Sequence, residues 1–308
     1  MNKIKSTSII LAVVIALFGG AALALQANVS AASHTVSSGQ SIQAALKAAA
    51  PGDTVTVNAG TYNEQLEITK PVTLKGNGAV VVNTKASTNV NPTDSSHYNF
   101  YESFKGVAIY DTTNVTIEGI TFDGENAGTG ATRQTGIDIS GMVNTTLTNV
   151  TVKNYVKNGI AVTTQFDAGR PIGKDVAFNN VTVDNAAWAG IAFYTKSTTV
   201  DVALRGITFS GVTTVANTAY GIQFGDVSST QPIEGVNGGP VALGTVAFAN
   251  NTANISQDVP SLTSITLEND STVDGVPVTA ADFDGLSVTL VEPAVAVIPG
   301  VPNTAIAE

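Results

Sequence analysis

The chain has 308 residues, of which 12% are charged and 6% aromatic, with no cysteine and a formal charge of −10. Disulfides, thiolate metal sites and lipid attachment through a cysteine are therefore excluded. The acidic balance argues against nucleic acid or an anionic membrane surface as partner, and abundant Val, Thr, Ala, Asn and Gly favour strands and tight turns over helices.

Residues 1–32 differ in kind from the rest. Lys3 and Lys5 precede the apolar run "IILAVVIALFGGAALAL", which ends near the small residues of "NVSAAS". This pattern reads as a secretory signal peptide cleaved after Ala31 or Ala32; the alternative is an uncleaved N-terminal anchor, since the run is nearly long enough to span a bilayer. Either reading places the remainder outside the cytoplasm, secreted or at the cell surface. Cleavage removes Lys3 and Lys5 and leaves 12 basic against 24 acidic residues.

Next, "SIQAALKAAA" sets Ile42, Ala45, Leu46 and Ala49 on one face of a short helix, with Ser38 or Ser41 as N-cap and "PGD" as its stop. Short strands follow in "TVTVNAGTY", "QLEIT" and "PVTLKGNGAVVV", punctuated by Gly, Asn and Pro. A helix followed by such strands suits a cap on the open end of a stack.

An internal repeat then runs through the middle of the chain. Gly106, Gly136, Gly159, Gly190 and Gly221 open the triplets "VAI", "IDI", "IAV", "IAF" and "IQF". A second register, "VTIEGITF", "TLTNVTV", "VAFNNVTV" and "VALRGITF", shows paired alternating strands broken at Gly119, Asn149, Asn180 and Gly206. Gly and Asn tolerate left-handed backbone, so each break predicts a corner. Each unit reads as three short strands and three turns, and stacking the units pairs each strand with its counterpart about 4.8 Å away. At least five coils are expected.

With these features the chain resembles the right-handed parallel β-helix proteins of the pectin lyase-like superfamily. "SIQAALKAAAPGDTVTVNAGTYNEQLEITKPVTLKG" is similar to the capping helix and first coil of many members, and the repeats extend the likeness to about residue 257. The resemblance implies an all-β, right-handed parallel β-helix solenoid with a short N-terminal capping helix, occupying residues 33–292. From about residue 258 the strands alternate without a rung pattern and are expected to form a closing segment, and residues 293–308 a flexible tail. The superfamily includes lyases, hydrolases, esterases and non-catalytic surface proteins. It thus implies an exported, monomeric protein that binds or processes polysaccharide or a cell-surface glycan along the groove of one sheet, the alternative being a structural or adhesive surface protein.

The "GIxI" strands resemble the groove-bearing sheet. Alternation turns Ile137 and Ile139 inward and Asp138 outward, in one row with Ala108, Ala161, Ala192 and Gln223 and with Glu67 on the preceding rung. A second outward row holds Tyr110, Ser140, Thr163, Tyr194 and Gly225, in which Tyr110 and Tyr194 offer faces for a sugar ring. Glu67 and Asp138 stand two rungs apart, about 9.6 Å at the usual strand spacing, near the separation of the carboxyl groups of inverting glycosidases. For elimination on a uronic acid, Arg133 and Lys157 flank the Asp138 rung as candidates for base and charge neutralisation. The loop before Gly106 adds Tyr101 and Glu102 as substrate-binding candidates. Calcium serves such chemistry in principle, but the outward row holds no acidic cluster, so no metal or other cofactor is assigned. Neither His34 nor His97 belongs to a legible triad. Asp123, Lys153 and Asp184 end equivalent strands and predict an alternating charge ladder.

Overall fold

The computed structural model describes residues 31–84, 103–125, 133–141, 143–163, 174–195, 204–225, 233–257, 264–283, 286 and 288–293. The chain divides into two compact units, Met1–Ser30 and Ala31–Glu308, and every described residue belongs to the second. Residues 1–30 of the expected signal segment and 294–308 of the expected tail lie outside the described residues.

Within the second unit, period-2 alternation builds three parallel ladders. The first runs from Ser33–Val36 through the opening halves of Thr54–Asn63 and Thr73–Asn83, then Thr113–Glu118, Val143–Thr148, Lys174–Asn179, Thr208–Ser210, Val241–Ala242, Ile265–Glu268 and Val288–Val291. The second takes the closing halves of those two long strands, then Thr121–Asp123, Thr151–Tyr155, Thr182–Ala186, Val212–Ala216, Thr245–Ala249 and Thr272–Val273. Because the two long strands cross the corner unbroken, these ladders form one sheet, here sheet A. The third is a seven-stranded sheet, here sheet B: Leu66–Ile68, Ser103–Tyr110, Arg133–Ser140, Ile160–Thr163, Ala189–Tyr194, Tyr220–Phe224 and Ala253–Gln257. Parallel neighbours one coil apart, joined in the hand such crossovers adopt, make this a right-handed parallel β-helix.

The apolar half of each strand fills the interior: Val115 and Ile117, Leu147, Val176 and Phe178, and Ile137 and Ile139 are each at most 1% exposed. Phenylalanines stack from coil to coil, Phe178 on Phe209 with ring centroids 4.7 Å apart and Phe193 on Phe224 at 5.2 Å. The repeated glycine before each sheet B triplet is required by close packing. A Cβ on Gly136 would lie 2.8 Å from the Tyr155 ring and strike the Gly159 carbonyl oxygen. Tyr155 is buried, bonded through its hydroxyl to Thr84 Oγ1 at 2.9 Å, and burial raises its phenol above the usual range.

Corners fall where Gly and Asn take left-handed backbone. Gly119, Asn149 and Asn180 have φ of 66°, 53° and 52°, as expected. The fourth unit is corrected. Ala177 pairs with Thr208 and Asn179 with Ser210, which aligns Gly211, φ 63°, with Asn180. Gly206 sits one corner earlier, against Asp175, so the unit is "ITFSGVTTV"; two glycines five residues apart both satisfied the corner pattern.

At the N-terminal end the helix is Ile42–Ala48, and Ser41 is its N-cap, accepting the Ala44 N–H at 3.0 Å. The Glu64 carboxylate also accepts the Ile42 and Gln43 N–H groups, 2.6 and 3.1 Å away, while Lys70 Nζ donates to the carbonyls of Lys47 and Ala49 at 2.7 and 2.8 Å. Both charges complement the helix dipole. At the other end a second correction applies. Ile265–Glu268 pairs in parallel with Val241–Ala242 and with Val288–Val291, so the rung pattern continues beyond residue 258, its strands too short and too interrupted to show the repeat. Among the described residues only Thr272–Val273 with Val276–Pro277 is antiparallel.

Candidate functional site

Sheet B brings the expected outward rows into register. Glu67, Ala108, Asp138, Ala161, Ala192 and Gln223 are consecutive partners across the sheet. Tyr110, Ser140, Thr163 and Tyr194 form the second row.

Outward from the coil is not exposed, however. Asp138 is only 3% accessible, and its carboxylate is ion-paired with the Lys105 ammonium, itself 7% accessible. The Lys105 backbone is the partner of Thr135, so its long side chain runs along the sheet to reach Asp138. A buried pair of this kind costs desolvation that its Coulomb attraction only partly offsets. Asp138 Oδ1, Ser140 Oγ and Thr163 Oγ1 are buried without a hydrogen-bond partner. These atoms belong to neighbouring positions on two adjoining rungs, since Ser140 and Thr163 are partners.

Glu67 is engaged elsewhere. It accepts the Tyr110 hydroxyl, while Gln43 of the capping helix brackets its backbone, accepting from the Glu67 N–H at 2.7 Å and donating to the Glu67 carbonyl at 3.2 Å. Glu67 also lines a cavity of about 90 Å³ with Gln43, Leu46, Lys47 and Lys70. The register expected for Glu67 and Asp138 is therefore present, but each carboxylate has its own partner and the Ala108 rung lies between them. Arg133 opens the Asp138 strand with its backbone opposite Ser103. The Lys157 N–H donates to the Gln134 carbonyl at 3.1 Å, and the Lys157 carbonyl accepts from Trp188 N–H at 2.9 Å, which places Lys157 at the entry to sheet B. Tyr101 and Glu102 lie outside the described residues.

Toward the C-terminal rungs the face becomes aromatic. Trp188, the single tryptophan of the chain, is 41% exposed. Its ring meets Tyr220 edge-on at a centroid distance of 5.4 Å. Trp188 Nε1 and the Tyr194 hydroxyl both donate to Gln223 Oε1, at 3.1 and 2.8 Å. The residue just before a strand and the one at its end thus converge on the middle of the next rung, beside Ala192.

No family model and no curated protein matches the chain. Solved structures do. A pectate lyase, Pel9A, is similar over 83% of this chain and 84% of its own at 14% identity and a TM-score of 0.46. A polygalacturonase from Erwinia carotovora ssp. carotovora is similar over 78% and 85%, at 18% identity and a TM-score of 0.42. PfbA, a surface adhesin of Streptococcus pneumoniae, is similar over 75% and 82%, at 14% identity and a TM-score of 0.26. What they share with this chain is the β-helix. The chemistry of the site is read from this chain's own residues.

Two residues of the site escaped the sequence reading. Lys105 directly precedes the aligned Gly106, but its partner lies three positions along the next rung, and no local spacing signals that reach. Trp188 stands two residues before Gly190, and its being the sole tryptophan was the available clue.

Elsewhere Asn83 Oδ1, Thr145 Oγ1, Asn158 Oδ1 and Thr213 Oγ1 are also buried without a partner, while the charged groups of sheet A pair along their ladder. Asp123 and Lys153 are partners in register and ion-paired at 3.1 Å, with Asp184 on the next rung. Burial pushes the Asp123 carboxyl up, but hydrogen bonds from Asn154, the Glu125 N–H and Lys153, with the Lys153 charge, hold it below its ordinary range. Among the described residues no three of His, Asp and Glu gather as a metal site, and no helix is long and apolar enough to cross a membrane.

Proposed function

We propose that this protein binds polysaccharide along the outward face of sheet B, outside the cell, with Trp188 as its principal stacking surface. The observation that carries this reading is the Trp188, Tyr194, Tyr220 and Gln223 cluster. The indole N–H is satisfied by Gln223 while much of the ring stays open to solvent, an arrangement that leaves an aromatic face for the apolar side of a sugar. Fixing the ring beforehand lowers the entropy cost of binding. Tyr110 and Glu67 form a second polar point at the other end of the same face.

A second reading, chemistry at the Asp138 rung, is favoured by one observation: Asp138 Oδ1, Ser140 Oγ and Thr163 Oγ1 are buried hydrogen-bonding atoms without partners, and such groups call for an explanation. In that reading Asp138 acts with Glu67, or with Arg133 and Lys157, on a glycosidic bond, and Tyr101 and Glu102 contact the sugar.

Incubation of the purified protein with acidic and neutral glycans, with and without Ca²⁺, separates the two. Retention without cleavage supports binding, and an adhesive role at the cell surface with it. New unsaturated products or new reducing ends support chemistry. Neither retention nor turnover on any glycan overturns both.

A further inference from the structure

The first rung carries a carboxylate whose surroundings match a free chain end. Asp53 is 4% exposed. Its Oδ1 accepts the backbone N–H of Ala32 at 2.8 Å, and its Oδ2 accepts the Ala50 N–H at 2.9 Å and meets His34 Nε2 at 2.8 Å. The Ala32 carbonyl in turn accepts the Thr54 N–H at 2.9 Å, and from Ser33 onward the strand is in parallel register with Thr54 and its successors. Among the described residues Ala32 is thus the first that is hydrogen-bonded into the solenoid, and Ala31 and Ala32 are both exposed. In the sequence these two alanines end the segment that reads as a cleavable leader, and either could be the last residue removed.

We infer that Asp53 is the receptor for a processed N-terminus: the chain is cut between Ala31 and Ala32, and the new Ala32 α-ammonium binds the Asp53 carboxylate. The step is a hydrolysis by a leader-processing protease. Water adds across the Ala31–Ala32 peptide bond, the C–N bond breaks, Ala31 leaves as a carboxylate with the leader, and Ala32 keeps its nitrogen as an ammonium. The amide-to-carboxylate hydrogen bond already present becomes an ammonium–carboxylate ion pair, with both partners charged. Cutting one residue later would discard both the Ala32 N–H to Asp53 and the Ala32 carbonyl to Thr54. Geometry therefore distinguishes two sites that small-residue composition treats alike. His34 is the titratable side chain facing Asp53 in this cluster, and its hydrogen bond, with those of Ala50 and Ala32, draws the carboxyl down to about 2, so above about pH 2 the receptor is charged wherever the amine is.

The sign follows from linkage. An α-amine ordinarily titrates near 7.7–8.0, and an anionic partner in the fold raises that value. With Asp53 ionised, that is above about pH 2, the added stability is present below about pH 8 and is lost as pH rises through the folded-state value.

The test uses the full chain expressed with its leader in an exporting host. Intact mass and N-terminal sequencing of the exported protein are expected to give a chain beginning Ala32-Ser33-His34. A start at Ser33, any other start, or an intact leader overturns the inference. A second form with Gly-Ser inserted between Ala31 and Ala32 keeps the amide at Ala32 but displaces the charge. At pH 6.5 the authentic form is expected to melt about 2–4 °C higher, with the difference shrinking at pH 10; His34 is common to both forms and cancels. Equal melting of the two forms at pH 6.5 overturns the role of Asp53.

Discussion

The two sheets share one coil, one spacing and one rule of alternation, yet their outer faces differ in what accounts for their polar groups. On sheet A these groups answer one another from rung to rung: Lys75 with Glu118, Asp123 with Lys153, Asn149 with Asn180 and Asn154 with Asn185. On sheet B an ion pair is buried between small residues, three unpartnered oxygen atoms gather on two adjoining rungs, and the chain's single tryptophan is open to solvent. Sheet A also has buried oxygens without partners, Asn83 Oδ1, Thr145 Oγ1 and Thr213 Oγ1, but they are spread over separate strands. The concentration of buried charge and unpartnered oxygens on sheet B is why the functional proposal is placed there.

The largest expected effect comes from the buried pair. Asp138→Ala removes the carboxylate that neutralises Lys105 and should destabilise the protein by about 3–5 kcal/mol, read by urea unfolding. Joint replacement with Lys105→Met should recover most of that loss. If Asp138→Ala alone costs no more than a surface change, the contrast between the faces is lost. Next is Trp188→Ala, which should weaken glycan binding about 2- to 12-fold with little change in melting temperature; loss of stability in step with binding would make Trp188 a packing residue.

The capping end gives a pH prediction. Hydrogen bonds from His34, Ala50 and Ala32 depress Asp53 to about 2, so its contribution is present above the ordinary carboxylate value and lost as pH falls through about 2. Asp53→Asn should flatten the acid limb of stability measured between pH 5 and pH 2. The smallest effect belongs to sheet A. Lys153→Ala should cost only about 0.2–1 kcal/mol and leave glycan binding unchanged, and any effect on binding would breach the division between the faces.

How much was legible beforehand follows the range of each interaction. Alternation, the Gly and Asn corners and the Ser41 cap are local signals, so the coil, the rows through Asp138 and the Asp123–Lys153 ladder could be read from the chain. Gly206 was misaligned because Gly211 meets the same local requirement five residues later. The alternation of Ile265–Glu268 was visible but its place in the rungs was hidden, because short strands separated by turns do not repeat the spacing of the earlier units. Lys105 was invisible as a partner because its reach across a rung depends on three-dimensional register, and the aromatic cluster was overlooked because Trp188 precedes its strand whereas Gln223 sits mid-strand on the next.

The most direct measurement is the intrinsic fluorescence of Trp188 during titration with acidic and neutral oligosaccharides, since one tryptophan reports without ambiguity. A saturable shift in its emission, abolished by Trp188→Phe as reporter and weakened by Gln223→Ala, is the result that binding on sheet B requires. Retention of glycan by the protein with no change in Trp188 emission would contradict it, because the sugar would then be held somewhere other than this face.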